Sequence, residues 1–557
     1  MTKSRIVYVN QKSKKKFLQQ SYERIGIVAL CILFALIVEM LKIIELSIFS
    51  NVTEKYQRDR NITPFQRKNI LDRNGVIISS NVPTASVYIN PKFFPKNSLD
   101  KVAPYSSMKK EDFISYFYRN KNFIWLRRHL TPQEQEEIHN LGLPGIYFVD
   151  DHKRIYPQQN LFSHVIGAVD VDNRGISGLE LYVDKSASEH ILRDALVTSL
   201  DVNVQYVVRD ILKEFIDLHA AKSGNALVIN VTNGEIISSI SLPDFNPNHH
   251  SKISERHFNQ ISSGLYELGS ILKPLTLAIA LDTDSVRTDE YFDITKPLRY
   301  SNHVIKEYRG GKQRPLSIPE IIMYSSNVGI ACIVESFGIE VQKKYFKRLG
   351  MLDKINLEIF ETVPSVFPSD SKWTILSAVT MGYGYGISLS PLHFMQAFST
   401  IVNGGFLHDV TLLSEKKNKS SIQVFKKDTS ETMNKILYLT ATKGTARKAN
   451  AIEYVVGAKT GTAEIVFRGQ YNKKVNRTVC AAAFPMHSPK YAVFVMINEP
   501  KANKLNLGFT TGGMVAAPTV KKIIEKIAPM MEVYPIDPAK AGIGKILYIN
   551  EKPATYQ

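Results

Sequence analysis

The sequence predicts an α+β fold in which one antiparallel sheet, flanked by helices, draws its strands from both ends of a long domain. Three observations carry this. Two apolar runs, residues 225–231 and 235–240, are joined by Thr232-Asn233-Gly234, and Asn-Gly between apolar runs signals a hairpin. The stretch from Ser270 to about Gly404 is mainly helical in pattern. Three further runs, residues 454–467, 478–484 and 491–497, then read as successive strands. Strands at both ends with helices between them argue for α+β rather than for alternating βαβ units.

The N-terminus reads differently. Residues 1–24 are short, polar and basic, and residues 25–38 are apolar but for Gly26. The pattern continues to about Phe49, interrupted by Glu39, Lys42 and Glu45. The clean run is shorter than the ~20 residues that span a bilayer. A cleavable signal peptide is the rival reading, but no small-x-small site follows. The basic flank predicts a cytoplasmic N-terminus and a single uncleaved anchor over residues 25–49. The three late charges form one polar stripe, either the helix continuing into water or a face turned to a partner's membrane helix.

Residues 50–197 hold short strand-like runs such as Ala85-Ser86-Val87-Tyr88-Ile89, and Asn74-Gly75 marks another hairpin. No catalytic set assembles there, so the region reads as a structural or interaction module. A helix is expected from about Val202 to Leu218. The domain that follows is placed at residues 198–535, with a tail at 536–557. The polar, lysine-rich span 411–429 is expected to be an exposed insertion.

Composition excludes some classes. The 557 residues carry a net charge of +18, but the excess is spread thinly and no nucleic-acid reader motif accompanies it. An anionic membrane surface or a wall polymer bearing carboxylates suits that spread as well. The 3 cysteines show no metal spacing, and Cys332 and Cys480 are expected to be buried thiols. The 13 histidines are scattered. No metal site and no cofactor are expected.

The chemistry is expected around Ser270. In Gly269-Ser270-Ile271-Leu272-Lys273-Pro274 the serine and lysine are three apart, so they share a helix face. Pro274 is tolerated in a first turn, where backbone donors have no intrahelical partner. An amine whose pKa is lowered by burial or by a neighbouring cation can free the hydroxyl as a nucleophile. Ser-x-x-Lys recurs in polar stretches at Ser13, Ser98, Ser107 and Ser414, so spacing alone does not single out Ser270. Two later motifs do. Ser325-Ser326-Asn327 opens another helical run, and Lys459-Thr460-Gly461-Thr462 lies on the first late strand. Together and in this order they match the Ser-x-x-Lys, Ser-x-Asn, Lys-Thr-Gly set of serine enzymes acting on penicillins and peptidoglycan stems.

Each residue type has a reason. Ser270 attacks a carbonyl and Lys273 takes its proton. Ser325 passes a proton to the leaving amine, and the Asn327 amide holds substrate backbone. Lys459 adds positive charge that depresses the Lys273 pKa. Thr460 and Thr462 bind a terminal carboxylate, and Gly461 lets substrate lie along the strand edge. The backbone N–H groups of Ser270 and Thr462 form the oxyanion hole.

With these motifs in place the whole chain resembles the class B penicillin-binding proteins, most closely the division-specific peptidoglycan transpeptidase. Ile70-Leu71-Asp72-Arg73-Asn74-Gly75, with Arg67 ahead of it, resembles the family's R-G-x-I-x-D-R-N-G segment. Arg154-Ile155-Tyr156-Pro157 and the stretch from Gly167 to Glu180 resemble its pedestal signatures. Gly382-Tyr383-Gly384-Tyr385-Gly386 resembles the loop bordering its active site. Lys443-Gly444-Thr445-Ala446 and Asn498-Glu499-Pro500 favour the division enzyme over its elongation relative. Three departures stand out: Lys68 for a glycine, Leu268 for a proline, and Tyr266 for a phenylalanine.

The resemblance implies D,D-transpeptidation of stem peptides ending in D-Ala-D-Ala, acylation by β-lactams, and work beside a lipid II polymerase of the shape-and-division family and other divisome membrane proteins. It also implies an inner-membrane protein at the septum with its catalytic domain outside. An elongation-specific transpeptidase, a D,D-carboxypeptidase, and a non-catalytic β-lactam-binding scaffold or sensor are the alternatives.

Overall fold

A computed structural model of the chain describes residues 22–24, 26–40, 42, 67–120, 122–185, 195–249, 254–301, 303–307, 311–312, 314–414, 421–467 and 470–550. The chain divides into two compact units, Met1–Gln66 and Arg67–Gln557. In the first, residues 26–40 are helical and their apolar side chains, Leu30 and Phe34 among them, are exposed. Among the described residues no helix is long and apolar enough to cross a membrane. The rest of the expected anchor, residues 25, 41 and 43–49, lies outside the described residues.

The second unit begins with a five-stranded sheet. The strands are β1 (Asn69–Leu71), β2 (Ile77–Ile89), β3 (Ile124–Leu130), β4 (Ile146–Ile155) and β5 (Ala195–Val197). The Asn74-Gly75 hairpin forms as expected: β1 and β2 pair antiparallel, with Leu71 opposite Ile77. The Asp72 carboxylate closes the turn by accepting from the backbone N–H of Asn74 and Val76, both at 2.8 Å. It also accepts from Val202 N at 3.1 Å, tying the hairpin to the start of the next helix. Long β2 pairs with both β3 and β4, and their apolar residues join Phe94, Phe113 and Phe117 in a separate small core.

The motifs at Arg67, Arg154 and Glu180, far apart in sequence, meet beneath this sheet. Glu180 Oε2 accepts from Arg67 Nε at 2.6 Å, and Oε1 accepts from Arg154 Nε at 2.7 Å and from Ser79 Oγ at 2.6 Å. Burial alone would raise the Glu180 pKa; Arg154 and Arg67 outweigh it and hold the carboxyl below its usual range.

Helix α1 (Val202–Leu218) follows, capped by Asp201, whose carboxylate accepts from Asn203 N and Val204 N. Its apolar residues Val204, Val208, Ile211 and Leu212 recur at helical spacing and are buried. Strands β6 (Ser223–Asn230) and β7 (Ile236–Leu242) make the second expected hairpin. Beyond the helices come β8 (Gly457–Phe467), β9 (Gln470–Phe484) and β10 (Tyr491–Asn498), the second of them longer than its apolar run suggests. The resulting antiparallel sheet has the order β8-β9-β10-β6-β7, so strands from the two ends of the domain meet where β10 pairs with β6.

Both faces of this sheet are covered, as the strand alternation requires. Ala226 and Val228 of β6 pack with α1 and with α5 (Ala516–Met530). Leu227 and Ile229 face the helical layer, which contains α2 (Lys273–Asp282), α3 (Ile318–Tyr324) and α4 (Asn327–Arg348). Helix α2 is apolar all round and is buried through Leu275, Leu277, Ala278, Ile279 and Ala280.

Three expectations change. The span 411–429 is anchored at both ends: Thr411, Leu412, Val424, Phe425 and Thr429 are buried, and residues 415–420 lie outside the described residues. Apolar residues at its two ends serve the core, so lysine content misjudged it. Within the expected C-terminal tail, Ile543 and Leu547 join the large core. Cys480 is buried but Cys332 is only half-buried, and both are free thiols.

Candidate active site

Ser270 sits in a 3-10 turn, Gly269–Leu272, that leads directly into α2. Pro274 occupies the first turn of α2, as expected. Lys273 is wholly buried, and its amine reaches Ser325 O at 2.5 Å, Asn327 Oδ1 at 2.7 Å and Ser325 Oγ at 3.2 Å. From the sheet, Lys459 Nζ reaches the same Ser325 Oγ at 3.0 Å and its neighbour's carbonyl, Thr460 O, at 2.9 Å. One hydroxyl therefore lies between two buried amines.

The chain forms this arrangement by a local distortion. Ser325 has φ of 63°, a left-handed conformation, at the junction between α3 and α4. It ends α3, and Ser326 then caps α4 by accepting from Gly329 N at 2.8 Å. That reversal turns Ser325 and Asn327 together towards Lys273. Such strain at a junction is characteristic of functional positions.

Burial pushes the Lys273 amine well below its ordinary range; the charge of Lys459 pushes it further, and Glu307 opposes. Burial likewise lowers Lys459 to about 7. A neutral Lys273 has two N–H bonds, enough for its two short contacts to Ser325 O and Asn327 Oδ1. Its lone pair is then left for the Ser325 or Ser270 hydroxyl.

Ser270 is half-buried, and its hydroxyl makes no hydrogen bond among the described residues. Catalytic bonds often tighten only with substrate present. Two close approaches fix the turn that carries it. Gly461 is bare because a side chain there would meet Leu268 O at 2.7 Å and Ile271 Cγ2 at 3.0 Å. The turn that carries Ser270 thus packs directly on the backbone of β8 at Gly461. Gly384, with φ of +94°, accepts from Gly269 N at 3.0 Å, and a side chain on it would collide with Gly269 O. The loop at residues 382–388 thus borders the turn as expected, and Gly386 N donates to Glu267 at 2.7 Å.

Strand β8 is the edge of its sheet. Thr462 O accepts from Tyr385 OH at 3.5 Å, which places the N–H and C=O of Thr462 on the open side away from β9. The Thr462 hydroxyl accepts from Gly512 N at 2.9 Å and keeps its own proton to donate. Asn327 is engaged through its oxygen by Lys273, with Nδ2 at 3.4 Å from Lys306 O.

Sequence reasoning missed Glu307, Tyr385 as a contact of Thr462, and the Gly512 backbone. The last two follow an apolar or glycine-rich signal. Glu307 stands alone in a loop, with no local pattern to mark it. The substitutions Leu268 and Tyr266 are accommodated: Leu268 is buried, and the Tyr266 ring lies under the Arg477 guanidinium at 4.4 Å.

A family model described as penicillin binding protein transpeptidase domain matches residues 224–525. Another, described as penicillin-binding protein dimerisation domain, matches residues 62–187. The probable peptidoglycan D,D-transpeptidase FtsI of Caulobacter vibrioides is 30% identical over 486 residues, which cover 84% of this chain and 82% of that protein. The peptidoglycan D,D-transpeptidase FtsI of Escherichia coli K12 is 26% identical over 522 residues, 87% of each chain. A crystal structure of a peptidoglycan synthetase from Bifidobacterium adolescentis shares the fold, with a TM-score of 0.67 and 18% identity over 85% of this chain and 96% of that one. With a dimerisation module followed by a transpeptidase domain, and relatives of this kind along most of its length, the chain belongs to the class B penicillin-binding proteins.

Proposed function

We propose that this protein is the septal peptidoglycan D,D-transpeptidase of its cell and that Ser270 is its nucleophile. The observation that carries the chemistry is the Ser325 hydroxyl held between the buried amines of Lys273 and Lys459, next to the turn bearing Ser270. The relatives named FtsI support the septal assignment over the elongation-specific alternative.

The reaction runs in two halves. Ser270 Oγ attacks the penultimate D-Ala carbonyl of a stem peptide as its proton passes to Lys273 Nζ. The backbone N–H groups of Ser270 and Thr462 stabilise the oxyanion. The amide C–N bond breaks, and the departing D-Ala nitrogen receives a proton through Ser325. An ester on Ser270 remains. The amine of a neighbouring stem attacks that ester, forms the cross-link, and returns the proton to Ser270. Asn327 orients substrate backbone, while Thr460 and Thr462 receive the terminal carboxylate. A β-lactam ring enters by the same first half, and its tethered leaving group stays in place.

The transpeptidase domain takes residues 198–535, behind a pedestal at 50–197. An anchor over residues 25–49 holds the catalytic domain outside the inner membrane, beside a lipid II polymerase and other divisome proteins; the basic flank and apolar run support this.

The test is intact mass after incubation with a fluorescent penicillin, wild type against Ser270→Ala. One stable adduct on wild-type Ser270, absent from the variant, is the expected outcome. A folded wild-type protein that takes no adduct overturns the catalytic reading in favour of a scaffold.

A further inference from the structure

We infer that Glu307 is a positioning residue for this reaction: its carboxylate clamps the first turn of α4 and so holds Ser325 and Asn327 onto Lys273. The inference rests on the proposed roles of Ser270 and Lys273.

Glu307 Oε1 accepts from Ser326 Oγ and from Val328 N at 3.0 Å, and Oε2 accepts from Asn327 N at 3.3 Å. Three donors at the start of one helix therefore converge on one carboxylate brought in from a loop. The first backbone N–H groups of a helix have no intrahelical acceptor, and a negative charge there is favoured by the helix dipole. α4 thus begins with its own serine cap and a second, charged one. Bonds to an ionised acceptor are roughly twice as strong as neutral ones.

The clamp acts where the backbone is strained. Ser325 is left-handed, and from the α3 side it is held by Ser325 N to Ile322 O at 3.2 Å and Ser326 N to Ile321 O at 2.9 Å. Those are ordinary helix-end bonds and would persist if α4 shifted. The position of Asn327, whose oxygen lies 2.7 Å from Lys273, depends on the α4 side, where Glu307 holds its backbone N–H.

The carboxylate also has an electrostatic role. Lys273 faces Lys459 from β8 and Ser325 and Asn327 from the α3–α4 junction; of the charges acting on it, Lys459 depresses its pKa and Glu307 opposes that. Cys480 lies opposite Thr460 in the β8–β9 register, on the other face of the sheet from Lys459, and on α4 Cys332 senses Glu307 together with Glu335 and Asp293. Glu307 therefore limits how far Lys273 is pushed towards neutrality while it fixes the groups around it.

The test measures the acylation rate of Ser270 by a fluorescent penicillin, on the full chain, across acidic to mildly alkaline pH. Wild type is compared with Glu307→Ala, Glu307→Gln and Glu307→Asp, with melting curves for each. A displaced catalytic segment is expected to slow acylation by Glu307→Ala on the order of 10²-fold. Glu307→Gln, nearly isosteric, should slow it less and move the acid limb of the profile to lower pH, because the charge opposing the depression of Lys273 is gone. Glu307→Asp should restore much of the rate. Folded variants that acylate at the wild-type rate overturn the inference. So does slow acylation with an unmoved acid limb and no recovery in Glu307→Asp, which marks a merely structural cap. A wild-type chain that takes no adduct overturns the nucleophile assignment itself, and this inference with it.

Discussion

In the pedestal, Arg67 and Arg154 converge on Glu180; in the transpeptidase domain, Lys273 and Lys459 converge on Ser325, with Glu307 reached through the backbone of α4. Each cluster has two buried cationic side chains and a carboxylate at hand, and in the pedestal Arg67 also pairs with Asp184. The difference is what the carboxylate touches. Glu180 contacts both guanidiniums directly, so its charge is stabilised in place. The two lysines contact only neutral oxygens, and burial therefore works against their charge. Arginine stays protonated under any condition the fold survives, whereas a buried lysine gives up its proton. The first cluster is a fixed joint, and the second is built as the proposed proton transfer through Ser325 requires.

Removing a cation breaks the comparison most sharply. Lys273→Met deletes the proposed base, and acylation by penicillin should fall on the order of 10³-fold. The fold should not suffer, because an apolar chain of similar length replaces an amine whose charge burial disfavours. A stopped-flow acylation rate and a melting curve check both halves. A rate near wild type would move the base elsewhere, and a large drop in melting temperature would make Lys273 a structural ion.

The pedestal should answer in the opposite way. Glu180→Gln leaves the Arg154 guanidinium buried without its counter-charge, leaves Arg67 with Asp184 alone, and weakens the bond from Ser79 Oγ. Breaking a buried pair from one side costs about 3–5 kcal/mol. Denaturant unfolding should register that loss, while the protein that remains folded still acylates at Ser270. Unchanged stability would mean that the cluster relaxes or admits water.

The two clusters also differed in how readable they were. Ser270, Lys273, Ser325, Asn327 and Lys459 announce themselves through short spacings on elements whose periodicity is plain. Arg67, Arg154 and Glu180 were visible as family-like segments, but no local pattern says that a loop, a strand and a helix will meet on one carboxylate. Glu307 had no signal, since its partners are the Ser326 hydroxyl and two backbone N–H groups at the start of a helix about twenty residues on. Strands were read well where an apolar run went without interruption, as in β6 and β10. β9 extends back through Gln470, whose polar neighbours hid it. The lysine-rich span near Thr411 was misjudged because composition averages over a segment whose two ends are buried.

The smallest effect separates the clusters by pH alone. Lys459 is lowered to about 7 by burial, against 10.5 for the ordinary amine. Between these values the unfolded chain binds a proton that the folded chain does not, so stability rises with pH across that window. The slope from one such group is at most about 1.4 kcal/mol per pH unit and vanishes below the folded value. Lys273 is depressed too and adds in the same direction. Lys459→Met should flatten the rise of unfolding free energy from neutral to mildly alkaline pH. Glu180→Gln should leave that slope unchanged, because arginines do not titrate there and the carboxyl titrates far below. Parallel slopes for wild type and Lys459→Met would mean that the amine keeps its proton in the fold, and the proton path through Ser325 would then have to begin from a charged pair.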